Sequence, residues 1–182
     1  MARSRDTRAR KAPRQDRSRD TVDAILRATA RSLVQRGFEH TTTNHVAALA
    51  GVSVGSLYQY FPNKRALVRA LYDRHVAEAE SLRPPLLQAQ PARRGAATLP
   101  ELVRAAVDWH LAAHALEPLL HAELDAHGND IVGAGALRAF EDLHEARVRG
   151  GLAEHRSEIA PRDLDLAAFL VATCLEAVPH AA

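Results

Sequence analysis

Histidine is the residue type through which this 182-residue chain could most readily do chemistry, and it has ten of them. His110 and His114 stand one helical turn apart, and His121 and His127 follow, with Glu117, Glu123 and Asp125 nearby. Zinc needs three or four such groups converging on one point. An i, i+4 pair arises readily by chance in a His-rich helical protein, and Cys174, the single cysteine, supplies no ligand near them. No metal and no cofactor are therefore expected. Two other readings stay open for Trp109, His110, His114 and His121: they border a cavity for a small effector, or they are ordinary partly buried side chains. No catalytic residue is expected either. The chain has no Gly-rich phosphate loop and no GxSxG, and Glu141, Asp142 and Glu145 read as a solvated face. Cys174 falls in an apolar helical pattern, where a thiol is expected to be inert packing. A helical, metal-dependent enzyme remains as an alternative that would need turnover.

A different chemistry, contact with a polyanion, is written in residues 43–62, TNHVAALAGVSVGSLYQYFP. Counted from Thr43, Ala47 falls fifth and Gly51 ninth, while Val46, Ala50, Val52 and Leu57 take inward-facing places. Ala47 must be small because a second helix crosses over it. Gly51 permits φ > 0 at a tight corner. The apolar residues bury the angle between two short helices, which is a helix-turn-helix. Neither helix is long enough to be stable alone, so the unit exists to present its second helix to DNA.

The elements that position these residues follow from periodicity and punctuation. Residues 1–17 hold seven basic and two acidic residues with almost no apolar ones, so they are expected to be a disordered basic arm, either a solvated tail or a strand reaching DNA. A helical stripe runs through Val22, Ile25, Leu26, Thr29 and Leu33, with Ser18 as its expected N-cap and Gly37 as its stop. Phe38 is expected to pack back on it. Thr42 or Thr43 should cap the next helix, Ser53 the recognition helix and Asn63 a long fourth helix to about Leu82, which Pro84-Pro85 breaks. Residues 84–100, with four prolines and a glycine, read as loop or a short helix between loops. Helical patterns resume at Leu99–Ala115, Pro118–Ala126, Ala136–Leu152 (through Leu137, Phe140, Leu143, Ala146 and Val148) and Arg162–Val178. The last carries Leu166, Leu170, Val171, Cys174, Leu175 and Val178, a band wide enough to imply burial on two sides.

Charge divides the chain at about the same place. Residues 1–75 hold 15 Lys and Arg against 6 Asp and Glu, a charge of +9, whereas residues 76–182 carry −7. Only the first part is then expected to meet a polyanion. One cysteine rules out an intramolecular disulfide and fits a reducing compartment. The Arg-rich start is followed by no apolar h-region, and no run of about 18 apolar residues occurs, so the expectation is a cytoplasmic protein with no membrane partner.

From about Asp20 to Leu71 the chain resembles the tetracycline-repressor (TetR) family of bacterial transcription regulators. The resemblance rests on a helix ending RGF, then TTT, then VAALAGVSVGSLYQYFPNKRALVRAL. It implies an all-α homodimer: a three-helix DNA-binding domain (18–62) joined by a fourth helix (63–82) to a helical effector-binding and dimerisation domain within 63–182. Carried over by position, it implies that Thr42 and Thr43, with Asn44 beside them, hold a phosphate. It places Val54, Gly55, Ser56 and Tyr58 along the recognition helix, Tyr58 and Gln59 near base edges or backbone, and Tyr60 and Lys64 on phosphates. Members end with two long helices that form a four-helix bundle across the dimer. Only Arg162–Val178 reads as such a helix before Pro179, so either a final helix is absent from the sequence or the dimer surface is reduced.

The residues themselves add to this. Gly55 in the middle of a two-turn helix costs ~1 kcal/mol relative to Ala. Either it is merely tolerated, or its lack of a side chain, with small Ser56 beside it, lets the helix backbone approach base edges in the major groove. Tyr58 and Tyr60 are two apart and cannot both face inward, so at least one hydroxyl points out while Leu57 and Phe61 hold the core. The expected function is a homodimeric repressor on a partly palindromic double-stranded operator, released by a small-molecule effector. A DNA-binding dimer with no effector response is the other reading.

Overall fold

The computed structural model describes residues 13–88, 97–160 and 162–177, with side chains from Ser18 onward except those of Ala136, Phe140 and Glu176. Only helices, turns and connecting segments occur among them. The chain is all-α, and it divides into two compact units at Leu71–Tyr72.

The first unit is built on α1 (Pro13–His40), α2 (Thr43–Ala50), α3 (Val54–Tyr60) and the first part of α4 (Lys64–Ser81). α1 is interrupted at Gly37, whose φ of 74° and ψ of 169° lie in a region essentially closed to residues with a side chain. The glycine thus ends the regular helix, and Phe38 turns back into the core as expected. The start differs from expectation. α1 already runs from Pro13, so Ser18 lies inside it and caps nothing, and its hydroxyl donates to Tyr60 Oη at 3.2 Å. The remainder of the basic arm, residues 1–12, lies outside the described residues.

Each later boundary has a local cause. Thr42 caps α2 by accepting from the His45 N–H at 3.2 Å, and Gly51 closes it in the left-handed region at φ 68°. Ser53 caps α3 by accepting from the Ser56 N–H at 3.0 Å, and Asn63 caps α4 through the Ala66 N–H at 2.9 Å. Ile25, Leu33, Val46, Leu57, Leu67, Val68 and Leu71 are fully buried between these helices. Each such aliphatic is worth ~1.5–3 kcal/mol before entropy costs, which is what holds α2 and α3 helical. Ala50 and Val52, also expected inside, are half-buried.

The second unit contains the rest of α4, the short α5 (Pro85–Gln88), α6 (Leu99–His114), α7 (Pro118–Ala126), α8 (Gly128–Val132), α9 (Ala134–Glu154) and α10 (Leu164–Ala177). Glu101 accepts from both the backbone N–H and the hydroxyl of Thr98, starting α6 where the sequence placed it. α8 is missed by periodicity because one turn shows no period. α9 and α10 correspond to the two helical patterns expected at Ala136–Leu152 and Arg162–Val178, and they pack on each other. Ala168, Ala172 and Leu175 face inward from α10, whereas Leu166, Phe169 and Leu170 remain more than half exposed. Cys174 is exposed, which corrects its reading as inert packing. The side chain of Phe140 and the whole of Val178, both expected in the apolar bands, lie outside what the structure describes.

Candidate functional site

The first unit exposes one surface rich in hydrogen-bonding groups, formed by the N-terminus of α2 and the length of α3. Thr42, Asn44, Val54, Gly55, Tyr58 and Gln59 are exposed on it, and Thr43 and Ser56 are half-buried. Tyr58 Oη and Thr43 Oγ1 share a hydrogen bond of 3.1 Å, so two residues 15 apart in sequence form one polar edge. Tyr60 is half-buried, accepts from Ser18 and keeps its own O–H to donate. A Cβ added at Gly55 would meet nothing nearer than Ser53 Oγ at 3.9 Å, an ordinary contact. The fold of this unit therefore does not require glycine there.

Lys64 is placed differently from the rest. Its ammonium donates to the Phe38 carbonyl oxygen at 2.5 Å and more weakly to that of Glu39 at 3.4 Å, and lies 4.1 Å from the centre of the Phe38 ring. It thus ties the start of α4 to the end of α1, joining the Thr41 N–H that already reaches the Phe38 carbonyl at 3.3 Å. One N–H of the ammonium is left over.

The second unit holds a cavity of about 460 Å³, partly open to solvent, between α4, α6, α7, α9 and α10. Trp109, His110, His114 and His121 all line it, together with His75 and His144. His75 Nε2 and His121 Nδ1 are 3.0 Å apart and hydrogen-bonded, the His114 and His121 rings are 4.1 Å apart, and His110 and His144 stack edge to face at 5.0 Å. The indole N–H of Trp109 donates to the Ala79 carbonyl at 2.9 Å, anchoring its ring against α4. His75 and His144 were not singled out by sequence, because each is isolated on its own helix. Their only signal is a polar residue on an otherwise apolar face.

Burial holds three of these imidazoles neutral. It lowers the pKa of His75 and His110, and it brings His144 down to about 4 with help from neighbouring His110, Arg147 and Arg83. Among the described residues no three His, Cys, Asp or Glu side chains are arranged to hold a metal ion. A second, smaller chamber of about 100 Å³ is walled mostly by aliphatic side chains of α6, α9 and α10 together with Arg83 and Arg147, and Trp109, His110 and His144 border both. Val171 lines this chamber. Of the broad apolar band on the last helix it is thus an inward member, whereas Leu170 and the neighbouring Phe169 are turned to solvent. No described helix is long and apolar enough to cross a membrane.

Comparison with known proteins matches both units. The family described as "Bacterial regulatory proteins, tetR family" covers residues 25–71, and "Tetracyclin repressor-like, C-terminal domain" covers residues 98–182. The regulator TtgR of Pseudomonas putida is 40% identical over 58 residues, 32% of this chain and 28% of TtgR. The uncharacterized regulator YvkB of Bacillus subtilis (strain 168) is 38% identical over 64 residues, 35% of this chain and 34% of its own. The alignments thus span about a third of the curated relatives' length. Over the whole fold, a gamma-butyrolactone receptor (ArpA-like protein) superposes with a TM-score of 0.64 at 24% identity, covering 89% of this chain and 83% of that one. SmeT in complex with triclosan gives 0.67 at 20% identity, covering 88% and 79%.

Proposed function

This chain belongs to the TetR family of bacterial transcriptional regulators, and from that premise we propose that it is a homodimeric repressor released from a partly palindromic operator by a small-molecule effector. The reading is carried by one observation. A unit that exposes a capped recognition helix is followed in the same chain by a unit that keeps a large cavity lined with hydrogen-bonding rings. Double-stranded DNA and a small molecule are the partners, and the cytoplasm is the place of action.

In this mechanism α3 of each subunit enters a major groove. Thr42, Thr43 and Asn44 at the start of α2, together with Tyr60 and Lys64, hold the flanking phosphates, which fixes the register of the helix on the duplex. Val54, Gly55, Ser56, Tyr58 and Gln59 face the base edges. Two such heads read half-sites about one helical turn of DNA apart. The second copy covers the apolar side chains that α10 leaves exposed, Leu166, Phe169 and Leu170, together with Leu143 of α9. Ligand in the cavity favours a subunit arrangement in which the heads no longer match the half-site spacing, and it does so only to the extent that it binds that arrangement more tightly.

Gly55→Leu tests the reading at its centre. The added side chain meets open space in the protein and base edges in the groove. The expected result is loss of operator binding by at least about 100-fold with helical content and dimer unchanged. Unchanged operator affinity would show that α3 does not approach the bases.

A further inference from the structure

We infer that the cavity takes an uncharged amphiphile bearing a hydroxyl group, an alcohol or a phenol, whose O–H sits against His110 and His144 and whose apolar part enters the smaller chamber. The inference rests on the effector reading above and adds the chemical class of the ligand. Its first support is what the large chamber lacks. Among the described residues no Lys or Arg lines it, and the two that line the smaller chamber, Arg83 and Arg147, are already ion-paired with Glu80, so no uncommitted cation is left to hold a carboxylate or phosphate. Its ionisable acids are Glu80, Asp125 and Glu141. Glu80 is already paired, 3.0 Å from Arg147 and 3.5 Å from Arg83, while Asp125 and Glu141 are exposed. A cation drawn into the chamber would lose its hydration without a buried counter-charge.

The second support is the hydrogen-bonding pattern on the wall shared by the two chambers. His110 Nδ1 lies 2.7 Å from the Ala106 carbonyl, and only a protonated nitrogen bonds a carbonyl oxygen. The ring is neutral, so its Nε2 carries a lone pair and asks for a donor. His144 is only 7% exposed, and its Nε2 is buried with no hydrogen-bond partner, the kind of orphan that costs stability unless something occupies the site. The two rings meet edge to face with their centres 5.0 Å apart, so both present their polar atoms to one patch of the cavity wall. A hydroxyl fits because it donates to His110 and accepts from His144 in the tautomer that carries the proton on Nε2. An ether or ketone only accepts and leaves the His110 lone pair unmet. The third support is the smaller chamber beyond these rings, where Leu99, Leu102, Val148, Leu152 and Leu175 form an apolar wall beside the ion-paired Arg83 and Arg147. It receives the apolar part of a molecule whose polar end is held at its mouth.

The chain carries its own reporter, since Trp109 is its only tryptophan and borders both chambers. We would titrate the full-length protein, without DNA, with 4-butylphenol, 4-butylanisole, 4-butylbenzoate and 4-butylbenzylammonium, following Trp109 fluorescence. The phenol is expected to bind at least tenfold more tightly than each of the others. His110→Phe and His144→Phe should each reduce its advantage over the anisole to less than threefold while leaving anisole affinity unchanged. Anisole binding within threefold of the phenol in the natural chain, tighter binding of the benzoate or the ammonium, or no response to any probe would overturn the inference. If a variant loses its helical circular dichroism, the ratios in the natural chain decide alone. Operator release is measured separately. Phenol binding without release removes the effector role and leaves the site, whereas release by a ligand that ignores both histidines does the reverse.

Discussion

The two units are packed on opposite principles. In the first, Ile25, Leu33, Val46, Leu57, Leu67, Val68 and Leu71 leave essentially no surface accessible, and the buried hydroxyls of Thr29, Ser32 and Thr41 are hydrogen-bonded. In the second, buried polarity takes the form of stacked imidazoles around open space, and three large apolar side chains of α10 are turned to solvent. A close-packed interior resists deformation, whereas voids forgo dispersion contacts that a ligand can restore. The first unit is thus complete as it stands. The second has two unfilled requirements, one inside and one outside, and the proposed effector and second subunit answer one each.

The strongest way to break this comparison is at the outer requirement. Leu166→Glu with Leu170→Glu should give monomers by sedimentation and lower operator affinity at least about 100-fold, because a charge at an apolar seam loses the burial energy and finds no counter-ion. A persistent dimer would place the interface elsewhere. The same substitution made once in each unit sharpens the contrast in packing. Ala47→Leu, at a fully buried position beneath the crossing of α2 and α3, should cost ~1–3 kcal/mol in chemical denaturation. Ala113→Leu, on the cavity wall, should stay within ~0.5 kcal/mol of the parent, and equal losses at the two sites would contradict the difference.

Acid should separate the units as well. Unfolded histidine takes up a proton near pH 6.5, whereas folded His144, facing His110, Arg147, Arg83 and Glu80, does so only at about 4. The unfolded chain therefore binds the extra proton between those values, and stability falls as pH drops through that window, by at most ~1.4 kcal/mol per pH unit from this residue. Thermal melts from pH 7 to 4 should show a shallower decline in His144→Phe than in the parent. Parallel declines would mean that His144 is not the group responsible. The smallest expected effect is that of Lys64→Ala, which should weaken binding to all DNA sequences alike and reduce the slope of log affinity against log salt by about 0.9, the share of one phosphate. An unchanged slope would leave Lys64 as a tie between helices and nothing more.

The first unit was readable almost residue by residue because its determinants are local. Thr42, Ser53, Asn63 and Gly51 act within four residues of where they stand, and the alternation of Leu57 and Phe61 with outward Tyr58 reports directly on which face is buried. The cavity depends on helices from distant parts of the chain. Trp109, His110 and His114 share one helix and were recognisable as a group, but the pairing of His75 with His121, 46 residues away, has no signature within either segment. The outer face of α10 shows the same limit. Its apolar band was evident, yet a band covering more than half a helix does not say which part faces in, and Val171 proved to belong to the smaller chamber. Ser18 misled for the opposite reason. It has the chemistry of a cap, but the polar residues before it continue the helix, and its hydroxyl serves Tyr60 instead.

The tie made by Lys64 has a consequence for how this protein can vary. Its partners at residues 38 and 39 are main-chain oxygens, so the bonds themselves make no demand on the side chain at the exposed Glu39, which is free to drift. What the tie does depend on is the path of the backbone through Gly37, which almost any other residue would redirect. A single glycine thus carries a constraint shared by two helices whose facing ends are more than twenty residues apart in sequence. Tolerance to substitution should therefore change abruptly along RGFE, from none at Gly37 to nearly complete two residues later.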